Sequence, residues 1–156
     1  YQLLAQAAGR AGRGDRPGRV VIQAFATDHP AIQAAALHDP GRFYERELHL
    51  REAMAYPPWV ALTQIRVEDR NRGRGEACAQ RVARHLRLAA AGRYVVLGPA
   101  PAPLSKIQGE YRFQILLKGK SRAVLGAGVR EVLETLDASR DLPAGLVVET
   151  DPRSLL

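Results

Sequence analysis

The sequence has few of the residue types that make cross-links or hold metal ions. Cys78 is the only cysteine among 156 residues, which excludes a disulfide framework and a metal site built from several cysteines. The four histidines are scattered and show no ligand spacing. We therefore expect no metal site within these residues.

Long apolar runs are also absent. No stretch approaches the roughly 20 consecutive apolar residues that cross a bilayer, and no signal peptide opens the chain. We expect a cytoplasmic protein that has no membrane partner. The chain opens on an apolar helical pattern, YQLLAQAAG, and its only methionine is Met54, so we also expect a fragment of a longer protein.

Lysine is scarce, whereas arginine is abundant. Twenty arginines stand against only Lys106, Lys118 and Lys120, and the formal net charge is +7. The guanidinium group is a planar fork that matches phosphate oxygens, so this balance favours nucleic-acid or nucleotide partners. A coding bias toward arginine would give the same count without any such function. Hydrophobic residues make up 46% of the chain, which is enough for a packed core.

The first part of the chain predicts short helices around one strand. Residues 1–8 predict the end of a helix, and a loop rich in glycine and arginine follows it. The run RVVIQAF, residues 19–25, predicts a strand that is buried on both faces. Residues 28–38 predict a helix with Asp28 as its N-cap. A second amphipathic helix then extends to the YPPW turn at residues 56–59.

The pattern changes from Val60 onward. The predicted elements are, in order, a strand at 60–68, a helix at 76–91, a strand at 93–98, a proline-rich loop at 99–110, a strand at 111–119, a helix capped by Ser121 and a strand at 146–151. This order is that of the split-βαβ fold, an α+β domain. Its four-stranded sheet carries both helices on one face and leaves the other face free.

The stretch QAAGRAGRGD, residues 6–15, combines glycines with two arginines three residues apart. Glycine lets the backbone approach a ligand closely, and Arg10 and Arg13 stay protonated at neutral pH. Such groups can stabilise the charge on a γ-phosphoryl group during its transfer. Gln6 lies one helical turn before Arg10, so the two side chains can face the same way. A flexible basic loop that touches DNA phosphates or solvent would show the same spacing.

This stretch resembles motif VI of the superfamily-two helicases, whose pattern is Gln-x-x-Gly-Arg-x-Gly-Arg. The resemblance implies that Arg13 is the arginine finger and that Arg10 also serves the γ-phosphate and interdomain coupling. It further implies that Gln6 helps orient the nucleotide. Both arginines would then be catalytic, with ATP and Mg²⁺ as cofactors. Many helicases share this motif, so it does not by itself indicate one family.

Longer blocks of the sequence resemble one particular family. The segment from GDRPGRVVIQAF through YPPW, the block LGPAPAPLSKIQGEYRFQILLKGKSR and the terminal VVETDPRSLL resemble the primosomal replication-restart DNA helicases, also called the primosomal protein N′ family. The likeness covers essentially the whole chain. Trp59 stands where the family is expected to have phenylalanine, which keeps the aromatic character. The resemblance implies that residues 1–38 end the second, RecA-like helicase lobe, that residues 39–59 form a helical connector, and that residues 60–156 form the C-terminal α+β domain.

The same resemblance implies an ATP-dependent DNA helicase. It would recognise stalled or abandoned replication forks, move 3′ to 5′, and start primosome assembly and replication restart. Its expected partners are forked and single-stranded DNA, single-stranded DNA-binding protein and other primosome proteins. The family's Walker A loop, acidic Mg²⁺ motif and cysteine-rich zinc region do not occur in these residues. We therefore expect this chain alone to be inactive.

The free face of the sheet is the predicted DNA-binding surface. Alternation places Arg66, Arg112 and Gln114 on its central strands, with Lys118 at the end of one strand. Lys106, in the proline-rich segment beside an isoleucine, has the mixture of charge and apolar surface that suits a contact to the DNA backbone. A solvated sheet face and a stiff loop would show the same pattern.

A second candidate site lies at the start of the helix that Ser121 caps. Backbone N–H groups at a helix N-terminus favour an anion, and Lys120 and Arg122 flank them. The carboxylate that ends an acidic protein tail could bind there, and the family resemblance indicates the tail of single-stranded DNA-binding protein. An ordinary capped helix is the alternative interpretation.

Three functional hypotheses remain open at this point. The leading one is a replication-restart helicase to which these residues contribute motif VI. The second is a non-catalytic DNA-binding or protein-docking module of a helicase relative that has lost its ATPase. The third is another superfamily-two DNA helicase, which the YPPW and GPAPAP blocks disfavour.

Overall fold

The structure, a computed structural model, describes residues 1–11 and 18–152. It divides the chain into two compact units, Tyr1–Met54 and Ala55–Leu156. The described residues of the first unit form three helices: α1 (Gln2–Ala8), α2 (Pro30–Ala36) and α3 (Pro40–Ala53). The second unit contains β1 (Ala61–Asp69), α4 (Arg72–Ala90), β2 (Tyr94–Ile107), β3 (Glu110–Gly119), α5 (Arg122–Ala138) and β4 (Leu146–Thr150).

The two helices α2 and α3 both begin at a proline that follows a side-chain cap. His29 Nδ1 accepts a hydrogen bond from the backbone N–H of Ala31 at 3.2 Å, so the N-cap of α2 is His29 and not the predicted Asp28. The reason is that Pro30, with its fixed φ, takes the first helical position and makes the preceding residue the cap. Asp39 caps α3 in the same way, with 3.0 Å between its carboxylate and the backbone nitrogen of Arg42.

The strand predicted for residues 19–25 is not present. Residues 18–25 form no strand in the structure, and the side chains of Val21 and Phe25 are exposed. A strand needs a neighbour to pair its backbone N–H and C=O groups, and the described residues of the first unit contain no strand. The prediction was therefore wrong, because apolar, strand-like composition does not by itself provide a strand to pair with.

The second unit confirms the predicted α+β fold. Its sheet has the strand order β2-β3-β1-β4, and all neighbouring strands are antiparallel. Helices α4 and α5 pack on the same face of this sheet, where Ile65 and Ile115 meet the apolar stripes of both helices. The predicted stripes are buried, apart from the half-buried Leu133, and they comprise Ala79, Val82, Ala83, Leu86 and Ala90 of α4 and Leu125, Val129, Val132, Leu133 and Leu136 of α5.

Two predicted boundaries in the second unit were wrong. Residues 99–107 belong to β2 and do not form a loop, because β2 is an edge strand and an edge tolerates proline where an N–H would face away from the neighbour. The register shifts twice along this strand, where the prolines interrupt regular pairing. Helix α4 begins at Arg72, four residues before the predicted start at residue 76, because the Asn71 side chain accepts a hydrogen bond from the backbone N–H of Arg74 at 3.0 Å and so caps the helix.

Candidate nucleic-acid interface

The face of the sheet opposite α4 and α5 is called here the open face. Because successive side chains of a strand point to opposite sides, the burial of Ile65 and Ile115 against the helices places their sequence neighbours on the open face. On the two central strands the open face consists of Leu62, Gln64, Arg66, Glu68, Arg112, Gln114, Leu116 and Lys118. The structure thus brings together four of the five predicted DNA-binding residues.

A cluster of two arginines and one glutamate forms the charged end of the open face. Arg66 Nε and Arg112 Nε both donate hydrogen bonds to Glu68 Oε1, at 2.8 and 2.9 Å. The side chains of Arg66 and Arg112 are only 20% and 14% exposed, so the cluster is partly desolvated. Burial alone would raise the pKa of Glu68, but the hydrogen bonds and charges of the two arginines together outweigh burial and hold its pKa below the usual range.

The cluster carries a surplus positive charge that can reach solvent. Two guanidinium groups share one carboxylate, and each uses only its Nε in the contact. Within residues 1–11 and 18–152, neither guanidinium makes another hydrogen bond, and no Nη atom of either is both buried and unpaired. Their Nη groups are therefore available to phosphate oxygens, which arginine binds through parallel hydrogen bonds.

At the other end of the open face, the side chains are less exposed than predicted and already contact other residues of the chain. Gln64 Nε2 donates to Gln114 Oε1 at 3.0 Å, and Gln64 and Leu62 are both 3% exposed. Lys118 Nζ lies 3.7 Å from the centre of the Tyr56 ring, a cation–π contact made by the first residue of YPPW. The expectation of a bare face is therefore wrong at this end, because the turn that precedes β1 places an aromatic ring over it.

Lys106 lies at the hairpin that joins β2 to β3. Its Nζ is 3.4 Å from the Tyr111 hydroxyl oxygen and 4.7 Å from the centre of the Tyr111 ring. Ile107 follows it and is also exposed, so the predicted combination of charge and apolar surface is present at the hairpin. Gln108 and Gly109 form the turn, both with positive φ, as tight hairpins require.

One residue of the predicted anion site, Arg122 at the start of α5, already binds a carboxylate of the same chain. Ser121 caps the helix as predicted, with 3.3 Å from its Oγ to the backbone nitrogen of Val124. Arg122 Nε donates to Asp151 Oδ2, and the backbone N–H of Leu62 donates to Asp151 Oδ1 at 3.1 Å. The Leu62 bond and the Arg122 contact outweigh burial and lower the pKa of Asp151. Lys120, beside the cap, is exposed.

The motif VI residues are described only in part. Gln6 lies on α1, and Arg10 follows the Gly9 C-cap of that helix. Both side chains are exposed, and Arg10 forms no ion pair with a residue that the structure describes. Arg13 lies outside the described residues, so its predicted role stays a prediction.

Glu68 and Asp151 are residues of the candidate sites that the sequence analysis missed. Each binds an arginine that was predicted to contact a partner, yet Asp151 lies 29 residues from Arg122 and Glu68 lies 44 residues from Arg112. The alternation that placed Arg66 on the open face also placed Glu68 there, and this was the one available signal.

In the described part of the chain, no group of three His, Cys, Asp or Glu side chains could hold a metal ion, and no helix is long and apolar enough to cross a membrane.

Comparison with known proteins identifies the second unit. The family model described as the primosomal protein N C-terminal domain matches residues 52–153. Proteins named replication restart protein PriA match most of the chain: 34% identity with the Bacillus subtilis protein over 86% of this chain, and 39% identity with the Treponema pallidum protein over 97%. These matches cover 17% and 22% of the relatives, so the chain spans about a fifth of their length. The chain belongs to the primosomal protein N C-terminal domain family.

Proposed function

We propose that this chain is the C-terminal part of an ATP-dependent 3′–5′ DNA helicase that recognises stalled or abandoned replication forks and initiates primosome assembly. The observation that carries the proposal is the extent of the match to proteins named replication restart protein PriA. At 97% and 99% of the chain, the match spans the segment that holds the arginine motif as well as the C-terminal domain. A match to the C-terminal domain alone would not extend over residues 6–13, where the motif lies.

In this proposal Gln6, Arg10 and Arg13 belong to a nucleotide site. Arg13 would stabilise the charge that develops on the γ-phosphoryl group, Arg10 would bind the γ-phosphate and couple the helicase lobes, and Gln6 would orient the nucleotide. ATP, Mg²⁺ and the family's zinc would be held by residues outside this chain. The exposure of Gln6 and Arg10 supports this proposal, because both side chains are free to meet a ligand.

The open face would bind the phosphate backbone of forked or single-stranded DNA. Arg66 and Arg112 would donate from their Nη groups, and Gln114, the register partner of Arg66 on the neighbouring strand, would donate from its side-chain amide. Lys106 would add a contact to the DNA backbone at the hairpin. Lys118, whose ammonium group lies over the Tyr56 ring, would add positive charge at the other end of the face. Because such contacts release counterions, the affinity should depend on salt and little on sequence.

The salt dependence of DNA binding tests this surface. We expect the chain to bind single-stranded DNA weakly, with a dissociation constant that rises as salt rises. Arg112→Ala should weaken binding and reduce the slope of log K against log salt by about 0.7, the value for one lost contact on a single strand. Fluorescence anisotropy with a labelled oligonucleotide measures both quantities.

Arg130→Ala is the matched control, because Arg130 is an exposed arginine of α5 and its loss changes the net charge equally. It should leave the slope within experimental error of the unaltered chain. Equal slopes for the two variants, or binding that does not change with salt, would show that the open face does not hold the DNA.

The start of α5 would bind an acidic protein tail, with single-stranded DNA-binding protein as the partner. Arg122 and Lys120 supply the charge, and the contact between Arg122 and Asp151 supports the proposal, because a tail carboxylate would make the same charge pairing with Arg122. We expect Arg122→Glu to weaken binding of a synthetic peptide of that tail at least tenfold. Calorimetric titration measures the change.

Asp151→Asn controls for the loss of the internal contact. This variant keeps Arg122 and removes the competing negative charge, so it should bind the same peptide at least as tightly as the unaltered chain does. A peptide affinity that Arg122→Glu leaves unchanged would remove this site from the proposal. Far-UV circular dichroism checks that both variants stay folded.

A non-catalytic DNA-binding module is the second candidate function. The observation in its favour is that the Arg66–Glu68–Arg112 cluster is complete within the second unit and needs no nucleotide. Such a module would bind forked DNA with the same salt dependence but would not hydrolyse ATP in the whole protein.

A further inference from the structure

The two edges of the sheet in the second unit differ in how they are protected. The β2 edge carries Pro99, Pro101 and Pro103, which have no N–H to offer, and its register shifts twice. Prolines and irregular pairing are common devices that keep an edge strand from joining another chain. The opposite edge, β4, contains no proline and pairs with β1 without a register shift.

The backbone of β4 presents unpaired groups on its outer side. The N–H of Glu68 bonds to the C=O of Gly145, and the N–H of Asp151 bonds to the C=O of Leu62, both at 2.8 Å. Along an antiparallel pair, the backbone groups of successive residues point alternately toward and away from the neighbouring strand. These two bonds therefore place the N–H and C=O groups of the odd-numbered residues of this segment toward β1. The even-numbered residues are Leu146, Val148 and Thr150, and their N–H and C=O groups point away from the sheet. None of these groups has a backbone partner in the part of the chain that the structure describes.

An apolar groove runs beside this edge on the helix-covered face. Leu146 and Val148 form one side of it, and the C-terminal half of α5 with the segment that follows forms the other. Its apolar lining is made by Leu133, Leu142, Pro143, Ala144, Leu146 and Val148, with Asp137 and Arg140 at the rim. The groove therefore lies where alternate side chains of an added strand would point.

The charge of this region favours a basic occupant. Between Glu131 and Asp151 the chain has six acidic residues and one arginine, a net charge of −5 in a chain whose total is +7. Among the described residues, three of the six have no ion-pair partner: Glu134, Asp137 and Glu149. This charge disfavours nucleic acid, and it also disfavours a second copy of the chain, because pairing two β4 edges would bring two acidic surfaces together.

We infer that the β4 edge is a docking site for an extended, basic segment of a protein partner. The segment adds a fifth strand through the backbone groups of Leu146, Val148 and Thr150, and its alternate apolar side chains enter the groove. Its lysines or arginines alternate with these apolar side chains and lie on the other side of the added strand, beside Glu149, while Asp137 adds negative charge at the rim of the groove. This interaction needs neither ATP nor DNA and uses none of the residues of the open-face cluster or of the α5 start.

The test uses the chain and a seven-residue peptide of alternating lysine and valine, acetylated and amidated at its ends. The unaltered chain should bind this peptide. Val148→Pro should weaken binding at least tenfold, because it removes an outward N–H while every bond between β4 and β1 remains. Asp137→Lys should weaken it at least threefold. Hydrogen exchange followed by NMR should show that the amides of Leu146, Val148 and Thr150 become protected when peptide is added.

Three controls make the outcome decisive. Glu76→Lys makes the same charge change on α4, at an exposed residue that does not line the groove, and should stay within twofold of the unaltered chain. The peptide methylated on alternate backbone nitrogens cannot pair with an edge and should not bind. Thermal unfolding checks that each variant is folded. If Val148→Pro does not fold, Asp137→Lys still tests the inference. Absence of binding at millimolar peptide, protection elsewhere in the chain, or sedimentation showing only self-association through β4 would each overturn the inference.

Discussion

If the whole protein is the helicase proposed above, replacing Arg13 with alanine is expected to abolish unwinding and to lower the rate of ATP hydrolysis by about 10³-fold or more. An arginine finger stabilises charge that appears only in the transition state for γ-phosphoryl transfer, so its loss affects the chemical step and leaves substrate binding largely intact. The affinity for forked DNA should stay within about twofold, because the open face lies in another part of the chain. A coupled ATPase assay, a fluorescent unwinding assay and anisotropy measure the three quantities.

Arg19→Ala is the control for this prediction. Arg19 follows the motif by six residues, is exposed, and carries the same charge, but it has no place in the Gln-x-x-Gly-Arg-x-Gly-Arg pattern. It should hydrolyse ATP at close to the normal rate. If Arg13→Ala still unwinds DNA, Arg13 is not the finger, and the nucleotide role of the motif has to be abandoned.

Gly128→Ala is expected to reduce the free energy of unfolding of the second unit by about 1–3 kcal/mol, the usual cost of adding volume to a packed core. A Cβ at this position of α5 would lie 2.6 Å from Cε1 and Oη of Tyr94. Tyr94 is 6% exposed, and its hydroxyl donates to the Leu86 carbonyl at 3.1 Å. The ring would have to shift, and the hydrogen bond that anchors β2 to α4 would be strained or lost.

The same helix offers a matched control at Gly126. A Cβ there meets no atom within 4 Å, so Gly126→Ala should increase the free energy of unfolding by about 0.5–1 kcal/mol through helix propensity alone. Urea unfolding followed by circular dichroism measures both variants. If both substitutions stabilise the protein, the contact between α5 and Tyr94 is looser than the structure has it.

The architecture of the second unit could be predicted because each element has its own local signal. Alternation in β1 and β3 assigned Ile65 and Ile115 to the buried face and Arg66 and Gln114 to the other. The helices α4 and α5 each show a continuous apolar stripe. Once strands and helices are in order, right-handed connections and short loops leave few arrangements for them.

The errors arose where structure depends on a neighbour that the local sequence does not contain. Residues 19–25 have strand-like composition but no strand beside them in the described residues. The prolines of residues 99–107 predict a loop until the strand is known to lie at an edge, where a missing N–H costs little. Both outcomes depend on pairing, and local composition does not encode it.

The candidate site was predicted in outline, and its internal contacts were not. Spacing alone could place Arg66 and Arg112 on one face, but it could not show that both donate to Glu68. In the same way, the cap at Ser121 was visible in the sequence, whereas the contact between Arg122 and Asp151 was not. These contacts change the chemistry, because they reduce the charge that each arginine presents to a partner.

The most direct test of the central claim is ATP hydrolysis by the whole protein in the presence of forked DNA. If this chain completes the ATP site of a replication-restart helicase, hydrolysis should be slow without DNA and should rise severalfold when a fork is added. Unwinding of the fork should accompany the rise. A whole protein that binds the fork with the expected salt dependence but hydrolyses no ATP would contradict the claim and leave the non-catalytic binding module in its place.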